Sequence, residues 1–399
     1  MTTTVGSIFG AVLDPVNRHN PYPLYTALRR TPVSREPDGT YIVSTFREIS
    51  ALLHDPRISS AYNPARDDLH AQIGLPPSFL RLDPPDHDRL RRLATRPFGP
   101  PHTPHRIDDL QAPLEGIVER LLGDFPGATA DLVDQFAYPL PVLVITQLLG
   151  VPIEDEPRFR AWIDTALQTV DPHRARPDQV DAAHAAFREL ADYLGELVDR
   201  RTAEPGDDLL SALATDDGPD GRMTREQLVS TAVLLLIAGH ETTVNLIANS
   251  ALILLRQPVW LERLLDDPGL VVPFVEEVLR WDPPVQFLPW RTALAEIELA
   301  GTTIPKGASI TLVLAAGNRD PQHVTDPDRF DPQRRPVPHL GFGDGIHYCF
   351  GAPLARLEAQ VALRGLAPML ANARLLEDPP AYRISAVLRG PRHLRVALD

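Results

Sequence analysis

The sequence predicts a mainly α-helical protein carrying small β-sheets. Three observations point that way. Apolar residues recur at helical spacing over long stretches, the longest from 225 to 257. The chain holds 42 prolines, roughly twice the usual ~5%, and prolines stop helices. Its β-branched runs are short and sit beside turn residues.

Taken in order, helical periodicity runs through residues 114–122, 142–149, 187–198, 225–257 and 353–370. The strand-like runs are YIVS (41–44), ELAGTTI (298–304), ASITLVLA (308–315) and HLRVAL (393–398). The β-rich portions therefore fall near 30–60, 282–315 and 380–399, with helices elsewhere. No internal repeat is visible. The segment 203–222, AEPGDDLLSALATDDGPDGR, is acidic and rich in turn residues, the best boundary by composition. The residues that carry chemistry lie on both sides of it, so residues 1–399 are read as a single domain.

The longest helix is framed by a T-x-x-Q capping box at Thr224 and Gln227 and by Pro258 at its far end. It would span roughly 50 Å. Its stretch STAVLLLIAG (230–239) is apolar on every face, which predicts a helix crossing the core. In its middle sits AGHETT (238–243). Burying an acid and two threonines without partners would cost a few kcal/mol, so something should compensate.

The totals exclude several classes. A formal net charge of −14 over 399 residues disfavours a nucleic-acid partner, since phosphate binding needs a basic surface. One cysteine forms no internal disulfide. The first arginine is Arg18, so the start lacks the basic region of a secretory signal. The most apolar run reaches about ten residues before His240 and Glu241, against the ~20 of a membrane span. These features read as a soluble cytoplasmic protein with no membrane association.

The lone cysteine, Cys349, lies in FGDGIHYCFG (342–351). Zinc and iron–sulfur sites draw on several cysteines, and covalent haem attachment needs C-x-x-C-H. A Cys349–His347 nucleophile would define a cysteine hydrolase. A buried, inert thiol is the plainest alternative. Gly343, Gly345 and Gly351 permit close approach of backbone to a flat ligand. The helical pattern after Gly351 would place Cys349 at a helix N-terminus, which favours thiolate. A single thiolate then suits a metal that brings its other ligands with it, as haem iron does.

This loop resembles the haem-binding loop of the bacterial cytochrome P-450 superfamily, F-G-x-G-x-H-x-C-x-G. Further motifs occur in that family's order. EVLR (277–280) resembles its E-x-x-R, with Glu277 and Arg280 three residues apart. Read alone, such a pair is usually a surface contact, and Glu276 could equally reach Arg280. The resemblance implies instead a buried structural pair. AGHETT resembles the central-helix motif. It implies that Ala238 and Gly239 leave room beside the haem for O2, and that Glu241 and Thr242 deliver protons. Without that loop, a threonine bonding back along its own helix would be the simpler reading.

DHDRLRRLATRPF (86–98) carries His87 and Arg91 at i, i+4, within ~40° on a helical wheel. They resemble the family's propionate-binding H-x-x-x-R. Arg89, Arg92 and Arg96 fall on the opposite face, a solvated face or a basic docking patch. Arg291 in PWRTA and His347 match two more propionate-binding positions, and Phe342, Cys349 and Gly351 complete the haem loop, with Cys349 as axial ligand.

The resemblance implies a cytochrome P-450 fold, with haem between the long central helix and the cysteine loop. It implies haem b, held noncovalently, and a monooxygenase using O2, two electrons and two protons. With no flavin or nicotinamide motif in the chain, electrons are expected from a separate ferredoxin and ferredoxin reductase, delivered to a monomer. Family position places pocket walls at 62–82, 165–180, Val285–Leu288 and 385–387, with Val285, Phe287, Leu288 and Val387 as lining residues. These are apolar, which fits a hydrophobic small molecule. Hydroxylation or epoxidation of a macrolide- or polyketide-like secondary metabolite is the leading expectation. Xenobiotic or steroid oxidation, oxidative coupling, and a non-catalytic haem-thiolate sensor or carrier are the alternatives.

Overall fold

The computed structural model describes residues 6–61, 74–99, 103, 105–125, 127–169 and 176–398. The chain divides into two compact units. The first comprises residues 1–58, 111–141 and 241–399, and the second comprises residues 59–110 and 142–240.

The helices that matter below are α1 (Phe46–His54), α2 (Asp86–Phe98), α3 (Gln111–Gly123) and α4 (Pro139–Leu149). They continue with α5 (Pro177–Ala203), α6 (Arg225–Arg256), α7 (Val271–Trp281) and α8 (Ala352–Leu370). The strands are β1 (Val33–Arg35), β2 (Tyr41–Val43), β3 (Ile58–Ser59), β4 (Thr129–Asp131) and β5 (Leu288–Ala293). They continue with β6 (Ile297–Leu299), β7 (Thr302–Ile304), β8 (Ser309–Leu312), β9 (Ala373–Leu375) and β10 (Arg395–Leu398).

Three small sheets result: β1-β2-β8-β5-β3, β4-β10-β9 and β6-β7. β2 runs parallel to β8, pairing Tyr41 with Ile310, while β5 runs antiparallel to β8. In the first unit, Val33, Tyr41 and Val43 of this sheet pack with Ile310, Leu312 and the α1 residues Ile49 and Leu52. Leu340, just before the cysteine loop, joins the same cluster. The loop is thus seated on the sheet's own core.

Two expected strands are revised. ELAGTTI is not one strand but the hairpin β6–β7. Ala300 and Gly301 both hold positive φ, at 48° and 76°, which turns the chain back on itself. In ASITLVLA the strand ends at Leu312, and residues 314–317 form a helical turn. The acidic segment 203–222 lies inside the second unit. It contains a helix, Leu209–Thr215, capped by the Asp208 carboxylate on the Ser211 N–H at 2.8 Å.

Helix α6 begins as expected. Thr224 Oγ1 accepts from the Gln227 N–H at 3.2 Å, and Gln227 Oε1 accepts from the Thr224 N–H at 3.0 Å. The expectation that no stretch is long enough for a membrane is corrected. By length and composition α6 as a whole would suffice, because the apolar run resumes after His240 and Glu241. Of its most apolar window, 65% is buried inside the molecule. A core helix has that property.

Candidate functional site

The cysteine loop is shaped by its own backbone. The Cys349 N–H donates to the Phe342 carbonyl at 2.9 Å, which closes the loop into a turn. A short 3-10 helix, Gly345–His347, lies between, and the Tyr348 N–H returns to the Gly345 carbonyl at 3.1 Å. Gly345 has φ +65°, and a Cβ there would drive into the carbonyl oxygen of Leu53 in α1. Only glycine satisfies both demands. α1 also holds the loop by side chains, because Ser50 Oγ donates to the Asp344 carboxylate at 2.8 Å. Helix α8 starts three residues after Cys349 with Gly351 at its N-cap, which sets the sulfur at the positive end of a helix.

A second brace comes from α7. Glu277 and Arg280 form a bidentate pair at 2.7 and 2.8 Å. Both side chains are buried, at 4% and 1% exposure. Their remaining capacity is filled by the segment leading to the loop. Arg280 donates to the carbonyls of Asn318, Pro327 and Arg329, and Glu277 accepts from the Asp331 N–H and from Arg334. A buried pair is tolerable only when so fully satisfied. The surface-contact alternative is therefore ruled out.

Glu276 does not compete for Arg280. It accepts from Arg356 of α8 at 2.7 and 2.9 Å and contacts His339 at 3.1 Å. Burial opposes its ionisation, yet the bonds from His339 and Arg356 hold its carboxyl down to about 2. Arg356 also donates to the Tyr348 hydroxyl at 3.1 Å and lies 4.6 Å over the Phe342 ring. Sequence reasoning weighed Glu276 only as a rival partner and missed Arg356.

The centre of α6 carries Glu241, 5% exposed, and Thr242, half-buried. The compensation expected for the buried acid is Arg383, whose Nη1 lies 3.0 Å from Glu241 Oε1. The two residues are far apart in sequence, and no spacing signals the contact. In the second unit, Ala238 is exposed and Gly239 half-buried, although their helical neighbours Leu235 and Leu236 are buried. A Cβ on Gly239 would press on Ile145 of α4 at 3.1 Å, so close helix packing is one reason for that glycine.

Arg291, 8% exposed, follows a β-bulge. β5 advances three residues from Leu288 to Arg291 while β8 moves two, from Leu312 to Ile310, and Trp290 takes φ 68°. Such bulges re-aim side chains. The segments 285–288 and 385–388 are brought together, because Val285 pairs with Leu388 and the Gln286 N–H donates to the Val387 carbonyl at 2.8 Å. Val285 and Leu288 are half-buried, while Val387 is buried. Phe287 is fully buried with its ring edge-on to Phe9 at 5.5 Å, a core contact. Of the other expected pocket walls, residues 62–73 and 170–175 lie outside the described residues.

In the second unit, α2 presents its faces as the helical wheel requires. His87 is buried and Arg91 half-buried, and His87 Nδ1 lies 2.7 Å from Asp88. Arg89, Arg92 and Arg96 point the other way, but the expected basic docking patch is corrected. Arg92 pairs with Asp220 at 2.8 Å and Arg96 with Asp216 at 3.4 Å. Arg89 donates to the carbonyls of Asp220 and Arg222. The acidic segment 203–222 absorbs this charge.

The donor set suits a flat iron cofactor. One thiol stands at a helix N-terminus, and a Cβ on Gly351 would meet nothing within 4 Å, which leaves space at the loop's edge. Arg291 and His347, in the same unit, are of the type that binds carboxylates.

Comparison with known proteins agrees. A family model for cytochrome P-450 matches residues 269–372. The vitamin D(3) 25-hydroxylase of Pseudonocardia autotrophica is 40% identical over 408 aligned residues, covering 99% of this chain and 98% of that protein. The 6-deoxyerythronolide B hydroxylase of Saccharopolyspora erythraea is 37% identical, over 95% of this chain and 96% of that one. The ligand-free crystal structure of CYP164A2 from Mycobacterium smegmatis superposes with a TM-score of 0.89 at 41% identity, covering 98% of this chain and 99% of that one.

Proposed function

We propose residue roles, a substrate class and electron partners for this chain, which belongs to the cytochrome P-450 family and is an oxidoreductase of the monooxygenase type. The family's cofactor is a haem-thiolate, and we assign haem b. Bound haem supplies the oxygen chemistry that side chains lack. Cys349 would hold the haem iron through its thiolate sulfur. The observation that carries this reading is the single cysteine, held at the start of α8 by its bond to the Phe342 carbonyl.

The other roles follow from placement and resemblance. Arg291 and His347, with His87 and Arg91, are assigned to the propionates. Phe342 and Gly351 frame the loop, and Ala238 and Gly239 leave room beside the cofactor. Glu241 and Thr242 form the proton relay: the acid exchanges protons with solvent, and the hydroxyl of Thr242 passes one inward. The Glu277–Arg280 pair is structural.

The substrate is a hydrophobic small molecule met by Val285, Leu288 and Val387. A macrolide- or polyketide-like metabolite, hydroxylated or epoxidised, is the leading reading, supported by the similarity to the 6-deoxyerythronolide B hydroxylase. Oxidation of a steroid-like molecule is the second, supported by the similarity to the vitamin D(3) 25-hydroxylase. Electrons come from a ferredoxin and its reductase. The enzyme acts as a cytoplasmic monomer, in keeping with its acidic charge and single thiol.

Cys349→Ser tests the assignment. Loss of the red-shifted Soret band of the ferrous–CO complex is expected, and its retention would remove Cys349 as ligand. A screen of compounds for a low-to-high spin shift separates the two substrate readings.

A further inference from the structure

Helix α6 carries a buried polar stripe. Glu241, Asn245 and Asn249 recur at i, i+4 and i+8, and are 5%, 0% and 1% exposed. That spacing puts them on one face, and burying three polar groups there is costly unless each is met. One element contacts all three, with Asn249 Nδ2 also donating to the Asp282 carbonyl at 3.2 Å. It is the carboxy-terminal hairpin 381–392, closed by the Arg383 N–H on the Gly390 carbonyl at 3.1 Å and the Arg392 N–H on the Ala381 carbonyl at 2.7 Å.

Arg383 makes two of the contacts. Its Nη1 lies 3.0 Å from Glu241 Oε1, and its Nε donates to Asn245 Oδ1 at 3.2 Å. Asn249 Nδ2 donates to the Arg389 carbonyl at 3.2 Å. The hairpin sits so close that a Cβ on Gly390 would run into Asn245 Oδ1. The guanidinium is therefore fixed at two points, on residues one turn apart. Its side chain is 17% exposed against 6% for Glu241, so Arg383 is the more solvent-facing of the pair.

We propose that Arg383 is a positioning residue that holds the Glu241 carboxyl in place for proton relay. The inference rests on the assignment of Glu241 to that relay. A carboxyl in a buried helix has several rotamers, and only some face the hydroxyl of Thr242. A two-point guanidinium contact selects among them, and Arg provides it through its planar fork. The proton itself leaves the Glu241 carboxyl toward Thr242 and is replaced from solvent, so Arg383 gains and loses none. The same hairpin bears Val387, so the latch and one wall of the proposed pocket belong to one element.

The test uses the haem-loaded protein with a plant ferredoxin, its reductase and NADPH, without organic substrate. The parent is compared with Glu241→Gln, Arg383→Met, Arg383→Lys and the Glu241→Gln/Arg383→Met double variant. NADPH consumption and its solvent isotope effect in D2O are read, together with the urea unfolding midpoint. Glu241→Gln should slow consumption about tenfold or more. Arg383→Met should slow it about threefold or more, Arg383→Lys, which keeps the charge but not the planar fork, should recover part of that loss, and the double variant should match Glu241→Gln alone. The isotope effect should change in the same variants, and the unfolding midpoints should be non-additive.

Additive slowing in the double variant, or Arg383→Lys no better than Arg383→Met, would overturn the inference while leaving the relay intact. Non-additive midpoints with unchanged turnover in Arg383→Met would reduce the contact to a structural one, which also overturns it. An unchanged rate and isotope effect in Glu241→Gln would remove the relay reading, and the inference with it.

Discussion

Glu358 lies within α8, 2% exposed, and its Oε2 has no hydrogen-bond partner among the described residues. Burial alone pushes its carboxyl well above the ordinary value of 4.5, so the folded protein keeps it neutral. The folded state then binds a proton that the unfolded chain has released. Stability is undiminished below about 4.5 and falls as pH rises, by about 1.4 kcal/mol per unit until the folded group itself ionises. Glu358→Gln should remove that slope. Urea midpoints for the two proteins should lie close together at pH 4.5 and diverge by pH 8, with the variant the more stable, and parallel pH profiles would contradict the account. At this scale the sequence was uneven. The placing of Cys349 in a turn just before a helix was legible from the glycines around it and the periodicity that follows. Glu277 and Arg280 were legible only by resemblance, since their spacing alone fits a surface pair. The partner of Glu241 was foreseen as a need but not as Arg383, because a contact 142 positions away leaves no local pattern.

Among the elements, the cysteine loop depends most on a neighbour. Gly345 is wedged against the Leu53 carbonyl with a left-handed backbone. Gly345→Ala should cost about 1–3 kcal/mol and lower the fraction of protein that retains haem. Both are read in one sample, by urea unfolding and by the Soret absorbance of the ferrous–CO complex. Unchanged values in both would show that the loop tolerates displacement from α1. Long helices were readable from their periodicity and caps, as the Thr224–Gln227 box of α6 shows. Short strands were less so. The turn at Ala300–Gly301 divides a β-rich run into a hairpin, and Ala300 gives little sign of a left-handed backbone. The support that α1 gives the loop was invisible, because its decisive atom is a backbone carbonyl that every residue type possesses.

Across the first unit, the two ends of the chain meet at a buried charge. Arg389 pairs with Asp282, and its other donors reach the carbonyls of Arg18 and His19 at 3.1 and 3.0 Å. The side chains of Arg389 and Asp282 are 3% and 7% exposed. Removing Arg389 leaves Asp282 buried with the Tyr22 hydroxyl as a donor but without its paired cation, so Arg389→Ala should cost about 3–5 kcal/mol, measured by urea unfolding. A loss below about 1 kcal/mol would mean that water reaches Asp282. The predominance of helix over sheet was evident from composition and period. The way distant segments gather into units was not, since such closure is written in contacts hundreds of residues apart.

The turn bearing Cys349 is tied down by the chain's own bonds, to Phe342 across its mouth, to Ser50 beneath and to Arg356 alongside, with the Leu53 carbonyl packed close against Gly345. The entropy lost in immobilising those residues is therefore surrendered during folding and not when pigment arrives. On the assignment of Cys349 to haem iron, capture of the cofactor would begin from a loop that is already ordered.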